Sequence, residues 1–309
     1  MNRLKGKYIN LKESTQRRKQ LKANLKEIGL EEEYERFEAT RGDEKEANNK
    51  GLSRGEYGLW KSWLSLLEKE TNSHEDYDYL HILEDDAIVT KELKKLKDRI
   101  NKNQGGFDIL FTDMYTNPSV YKALHKRAHS NKSRGTIEII YDLYTGCTSS
   151  CIINKNKVEN VYTKLSSYFN ENEKVLPLDN AILRLSNQKI LDVASTMPFV
   201  TSITVDDISA STIQVYTKLP EPVSITQRFC SILRQELSTI EESESTPREL
   251  LDLILKIIEF EEKQEERENQ RISLIDTICN FADRNKILKY KYHARLKGEK
   301  NNPQRNREE

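Results

Sequence analysis

From residue 7 to about 200, short apolar runs alternate with amphipathic stretches, the signature of strands interleaved with helices. KYINL (Lys7 to Leu11) predicts a first strand. Ser14 and Thr15 are candidate N-caps for a basic helix that carries Leu21, Leu25 and Ile28 and stops at Gly29. YERFEA (34–39) reads as a second strand and TRGDEKEANNKGL (40–52) as a polar loop. Ser53 to Glu70 reads as a helix with Trp60, Trp63, Leu64 and Leu67 on one face. Further strands are expected at Tyr79 to Leu83, Phe107 to Thr112, Ile137 to Tyr141, Thr148 to Ile153 and Ile190 to Val193. Helices are expected over 155–169 and from Pro177 to Ser186, which puts Asp179 near a helix N-terminus. YKALHKRAHSNKSRG (121–135), with His125 and His129, reads as a basic loop suited to an acceptor-side lid. The alternation as a whole predicts an α/β sheet.

After about Pro220 the period changes. Leu250, Leu251, Ile254, Ile257 and Ile258 form a helical stripe, which resumes at Ile272, Ile275, Cys279 and Ala282. The expected organisation is an α/β domain over 1–215, a helical C-terminal extension over 216–296, and a tail over 297–309 without core-forming residues. The extension could pair with a second copy of the chain.

Charge narrows the functional classes. Lys plus Arg number 50 and Asp plus Glu 50 in 309 residues, so there is no global attraction to nucleic acid, and none is expected as a partner. KILKYKYHARLK (286–297) mixes basic and aromatic residues, which leaves a solvated helix end or a peripheral contact at the inner face of a membrane open. MNRLKGKYINLKESTQRR contains no apolar run of signal-peptide length, and no stretch approaches the roughly 18 to 20 apolar residues that span a bilayer. Cys147, Cys151, Cys230 and Cys279 match no disulfide framework or zinc spacing. A cytoplasmic protein with reduced thiols is the reading.

The candidate chemistry sits in HILEDDAIVT (81–90). In extended chain Glu84 and Asp86 project to one side and Asp85 to the other. Two hard oxygen donors beyond a strand's carboxyl end suit Mg2+ or Mn2+, which take one or two carboxylates plus ligand phosphates. The same triplet could equally be a solvated turn.

The surrounding motifs tip that balance. YINLKESTQRR (8–18), ERFEATRG (35–42), LSRGEYGLWKSW (52–63) and YLHILEDDAIV (79–89) resemble, in order, the motifs of glycosyltransferase family 25, the lipooligosaccharide and collagen galactosyltransferases. TGCTSSCIINKNKVENV (145–161), PLDNAIL (177–183) and MPFVTSITVDDISASTI (197–213) continue the resemblance more loosely. It implies a GT-A-like, Rossmann-like nucleotide-sugar domain with a mixed central sheet. The implied activity is metal-dependent, inverting transfer of a hexose, galactose by preference, from a UDP-sugar to a glycan or glycolipid hydroxyl. A protein acceptor, or an inactive binding and assembly protein on the same fold, are the alternatives.

Carried onto this chain, the resemblance implies that Asp86 and Glu84 hold the Mn2+ or Mg2+. Asp85 would support the turn or the metal, and Asn10 and Leu11 would meet the nucleotide at the end of the first strand. Arg17 and Arg18 open the first helix, and Arg18 is taken as the phosphate partner. Glu56 and Ser211 complete the donor-side set. Asp179 is the first candidate for the base that accepts the acceptor hydroxyl proton, and Asp113 the second. Leu59 and Trp63 stand where the family usually has Cys and His, and Trp63 is expected to be a core residue.

Overall fold

The computed structural model describes residues 3–103, 106–203, 222–239 and 251–257. The expectations for Ser211, for 272–282, for 286–297 and for the tail over 297–309 lie outside them.

In chain order the elements are β1 (Leu4–Asn10), α1 (Thr15–Glu27), β2 (Tyr34–Glu38), α2 (Glu44–Lys50), α3 (Arg54–Thr71), β3 (Tyr79–Glu84), β4 (Ala87–Val89) and α4 (Leu93–Asn103). They continue with β5 (Ile109–Phe111), α5 (Pro118–Ser133), β6 (Glu138–Tyr141), β7 (Ser150–Asn154), α6 (Val158–Glu171), α7 (Leu178–Asn187), β8 (Val193–Met197), β9 (Thr201–Ile203) and α8 (Pro222–Glu236). A seven-stranded sheet runs in the order β2-β1-β3-β7-β5-β8-β6, and β4 and β9 form a separate two-stranded ribbon. β1 pairs in parallel with β2 and β3, and β5 with β8. β7 runs antiparallel between β3 and β5, and β6 antiparallel to β8 at the edge. The expected α/β fold with a mixed central sheet is what the chain adopts.

β3 shows why this sheet is buried on both faces. Leu80 and Ile82 enter a core with Trp60, Trp63, Leu66 and Leu67 of α3 and Val161 and Leu165 of α6. Tyr79 and Leu83, one residue out of phase, enter a second core with Leu21 and Leu25 of α1 and Leu93, Leu96 and Ile100 of α4. His81 between them is held down to about 3 by burial, between the Tyr34 hydroxyl at 2.5 Å and Ser150 Oγ at 2.9 Å. It is a neutral part of the sheet. Trp63 is fully buried in the first core, as expected.

Three expectations need correction. The polar stretch 40–52 contains α2, capped by the Asp43 carboxylate, which accepts from Glu46 N–H at 3.0 Å, and closed by Gly51 at φ 72°. The supposed lid at 121–135 is mostly α5, with Asn117 as N-cap, Pro118 in its first turn and Leu124, Ala128 and Asn131 buried. The strand expected at Ile190 to Val193 begins only at Val193. A left-handed Lys189 (φ 58°) turns the chain after α7 and leaves Ile190 exposed.

The first compact unit spans Met1–Glu241 and includes α8, so it runs past the expected limit at 215. A second unit, Glu242–Glu309, has a helical segment over 251–257 within the stripe that predicts one.

Two glycines bring the segment after β2 against α3. A Cβ on Gly42 would lie 1.9 Å from the Arg54 carbonyl oxygen, and one on Gly58 would lie 2.7 Å from that of Thr40. Thr40 N–H donates to Ser62 Oγ at 2.8 Å, and Ser62 Oγ donates to Gly58 O at 2.7 Å, locking the approach. Gly42→Ala should therefore destabilise the protein by roughly 1–3 kcal/mol, because the clash is with backbone. Gly106→Ala, whose Cβ would meet only the Tyr141 ring at 3.6 Å, should stay within about 0.5 kcal/mol. Urea denaturation of both variants checks this, and equal stabilities would contradict the packing account.

Candidate active site

The carboxyl ends of β1 and β3 lie side by side, with Ile9 opposite Glu84. From Glu84 the chain turns through Asp85 and Asp86 and leaves as β4. The Asn10 side chain organises that turn. Its Oδ1 accepts from Arg36 Nε at 3.0 Å, which aims Nδ2 to donate to Asp85 Oδ2 at 2.7 Å and to Ser14 O at 3.0 Å. Arg36 Nη2 also donates to the Asn10 carbonyl at 3.0 Å. Asp85 Oδ1 accepts from Arg17 Nη1 at 3.1 Å, and the same nitrogen lies 3.9 Å from Asp86. Asp85 is thus an anchor for the turn.

Glu84 is fixed from the segment that leads into β7. Its backbone N–H donates to Ser149 O at 2.8 Å, and its Oε1 accepts from Thr148 Oγ1 at 2.7 Å. Behind it Asp113 accepts from Ser149 Oγ at 2.9 Å and from Arg234 Nη2 of α8.

Two cavities meet at the acidic turn, sharing Leu59, Glu84 and Asp86. The first, about 320 Å³, lies over the ends of β1 and β2 and is lined by Leu11, Arg17, Thr40, Arg41, Arg54 and Asp85 among others. The second, about 500 Å³, is lined by Glu56, Tyr115, Asp179, Asn180 and Arg234 among others. Glu56 also closes the capping box of α3, accepting from Ser53 N–H at 2.9 Å and Ser53 Oγ at 2.8 Å. Asp179 stands in the first turn of α7, beside Gly146, whose φ of 115° suits no other residue well.

The acids are electrostatically strained. Burial, and then the charge of Asp86, push the Glu84 carboxyl up from its ordinary range. Burial pushes Asp86 up as well, against the opposing pull of Arg17 and Arg234. Burial also raises Asp179, although N–H groups of Asn180 and Cys147 donate to it. A carboxyl raised by burial in a cavity is a stronger base than a solvated one, which suits it to accept a proton.

The donor set fits a divalent cation. Glu84 and Asp86 offer hard oxygens at a common cavity edge, and Mg2+ or Mn2+ completes its shell with water and ligand phosphate. No group of three or more His, Cys, Asp or Glu side chains that could hold a metal occurs among the described residues, so such an ion would draw its remaining ligands from substrate or solvent.

Asn10, Glu84, Asp85 and Asp86 come together as a cluster, with Leu11 and Glu56 on the cavity walls. Two assignments change. Arg17, not Arg18, meets the acidic turn, because it lies one helical turn before Leu21 and two before Leu25 on the inward stripe of α1. Asp113 is fully buried and paired with Arg234, so it is closed to an acceptor proton. Thr148, Ser149 and Arg234 belong to the site without having been singled out. Arg234 carries no local motif that announces it.

A family model described as "Glycosyltransferase family 25 (LPS biosynthesis protein)" matches residues 7–182. A search of curated proteins finds no match to the chain. No helix among the described residues is long and apolar enough to cross a membrane.

The raised carboxyls make stability depend on pH in a defined sense. Folded Glu84, Asp86 and Asp179 bind protons more tightly than they do in the unfolded chain, so their contribution to stability is present at low pH and lost as pH rises through their elevated range. The metal-free protein should lose part of its urea midpoint between the ordinary carboxylate range and neutrality, and Glu84→Gln should flatten that slope. An unchanged slope in Glu84→Gln would refute the assignment.

Proposed function

The chain belongs to glycosyltransferase family 25, and on that premise we propose that it transfers a hexose from a UDP-sugar to a hydroxyl of a glycan acceptor, inverting the anomeric centre. Galactose is the favoured hexose, and a bacterial lipooligosaccharide the favoured acceptor, by resemblance to the family's galactosyltransferases. The observation that carries the reading is the meeting of two cavities at one acidic turn. One is lined by Arg17, Arg41 and Arg54, the other by a carboxylate suited to act as a base.

In this reading the first cavity takes the nucleotide. The end of β1 and the segment after β2 form its walls, and Arg17 and Arg54 offer positive charge to the diphosphate. Arg17 is already ion-paired to Asp85, so it contributes without costly reorganisation. Glu84 and Asp86 would hold Mn2+ or Mg2+, which when bound supplies Lewis-acid stabilisation of the departing diphosphate.

The acceptor hydroxyl enters the second cavity, where Asp179 accepts its proton as the new bond forms. Displacement from the face opposite the leaving group inverts the centre. Asn180 N–H, donating to Asp179 Oδ1 at 2.8 Å, holds the carboxylate in place for this.

The inactive alternative drew on Trp63 standing where the family usually has His. Trp63 lies in the core and lines neither cavity, so in this chain the exchange alters packing and removes no group from the site.

With UDP-galactose and Mn2+, the unmodified protein should turn the donor over, and Asp86→Asn should lower kcat/KM at least about a hundredfold. Asp179→Asn should reduce kcat for transfer by roughly 10² to 10⁴ while leaving UDP affinity within about twofold. Full activity in Asp179→Asn would remove it as the base, and no turnover of any nucleotide sugar by the unmodified protein would refute the transferase reading.

A further inference from the structure

The matched segment ends at residue 182, yet α8, which begins forty residues later, puts a side chain into the second cavity. Arg234 is only 4% exposed and faces Glu84, Asp86 and Asp179 across that space. Its described bonds both leave from Nη2, to Asp113 and to Ser149 Oγ at 2.7 Å. Nε is buried with no hydrogen-bond partner among the described residues. A guanidinium has five N–H donors; Nε is closed off from the cavity, whereas Nη1 carries no described bond, so its N–H groups are the ones a ligand in the cavity that Arg234 lines can engage.

The chemistry of the walls narrows the ligand. Glu56, Glu84, Asp86 and Asp179 line the same cavity, and Asp113 offsets the Arg234 charge, so a carboxylate or phosphate on the ligand would meet like charge. Hydroxyl oxygens can accept from the arginine without that penalty, and the half-exposed Tyr115 ring offers a flat surface for the C–H face of a sugar. A volume of about 500 Å³ is of small-ligand size.

We propose that Arg234 is an acceptor-specificity residue, an N–H of its guanidinium donating to a hydroxyl oxygen of an uncharged sugar ring held between Glu84 and Asp179. The assignment rests on reading this cavity as the acceptor side. It makes α8 the element that adapts a shared catalytic turn to this chain's own acceptor.

Arg234→Lys keeps a cation for Asp113 but replaces the fork by a single ammonium. Initial rates are measured with UDP-galactose and Mn2+, using the methyl β-glycosides of glucose, galactose and N-acetylglucosamine as acceptors. KM for the accepted glycoside should rise about tenfold or more, with KM for UDP-galactose moving less than about twofold. An unchanged acceptor KM overturns the proposal. So does a donor KM that rises as far as the acceptor's, which would place the arginine on the diphosphate. Should Arg234→Lys fail to fold by thermal melting, Arg234→Gln combined with Asp113→Asn supplies a neutral hydrogen-bonding pair, and the same rise in acceptor KM is required of it. If the unmodified protein hydrolyses UDP-galactose but transfers to none of the glycosides, the uncharged-ring acceptor is wrong and the transferase reading stands. If it turns over no nucleotide sugar, the functional reading falls and this inference with it.

Discussion

Two half-buried carboxylates at one turn, Glu84 and Asp86, set the constraint that the rest of the site answers. Burial raises the proton affinity of both, the charge of Asp86 adds to the rise at Glu84 and that of Asp85 to the rise at Asp86, so the turn is unfavourable unless positive charge or protons reach it. Arg17 approaches from the first helix and Arg234 from the last helix of the first unit, and both pull Asp86 back toward its charged form. Neither neutralises Glu84, whose described partner is the Thr148 hydroxyl. In the proposed function, a cation with its anionic ligand would relieve that pair.

That preparation depends on the sheet. β1 and β3 are parallel neighbours, so their carboxyl ends present Asn10 and the acidic turn at the same edge. Arg36, reaching from β2, orients Asn10, and Asn10 orients Asp85, so a chain of three side chains fixes the turn from the outer strand inward. β7 runs antiparallel on the other side and brings Thr148 and Ser149 against Glu84. The glycine contact between Gly42 and α3 shapes a wall of the first cavity. Substitutions that never touch a ligand should therefore alter binding.

Much of this is legible in the sequence because it is local. The alternation of apolar runs gives the strands, Ser53 and Glu56 give the start of α3, and HILEDDAIVT gives the turn. Arg17 was within reach as well, since its spacing from Leu21 and Leu25 puts it on the inward stripe. α2 and α5 announce themselves through Asp43 with Gly51 and through Asn117 with Pro118, but their polar composition masks a short buried face. What sequence cannot supply is long-range pairing. The burial of Asp113 depends on Arg234, 121 residues away, and the short strand β4 exists only because β9 returns to pair with it. Arg234 looks like any other arginine on an amphipathic helix until the fold places it.

The central claim is that Glu84 and Asp86 form a cation-dependent seat for a diphosphate. Titration calorimetry of UDP binding, with Mn2+ and with a chelator, in two buffers of different ionisation enthalpy, tests it most directly. Mn2+ should tighten UDP binding by about tenfold or more, and protons should be released as the raised carboxyls give up theirs. Equal UDP affinity in Mn2+ and chelator, with no proton exchange, would contradict it.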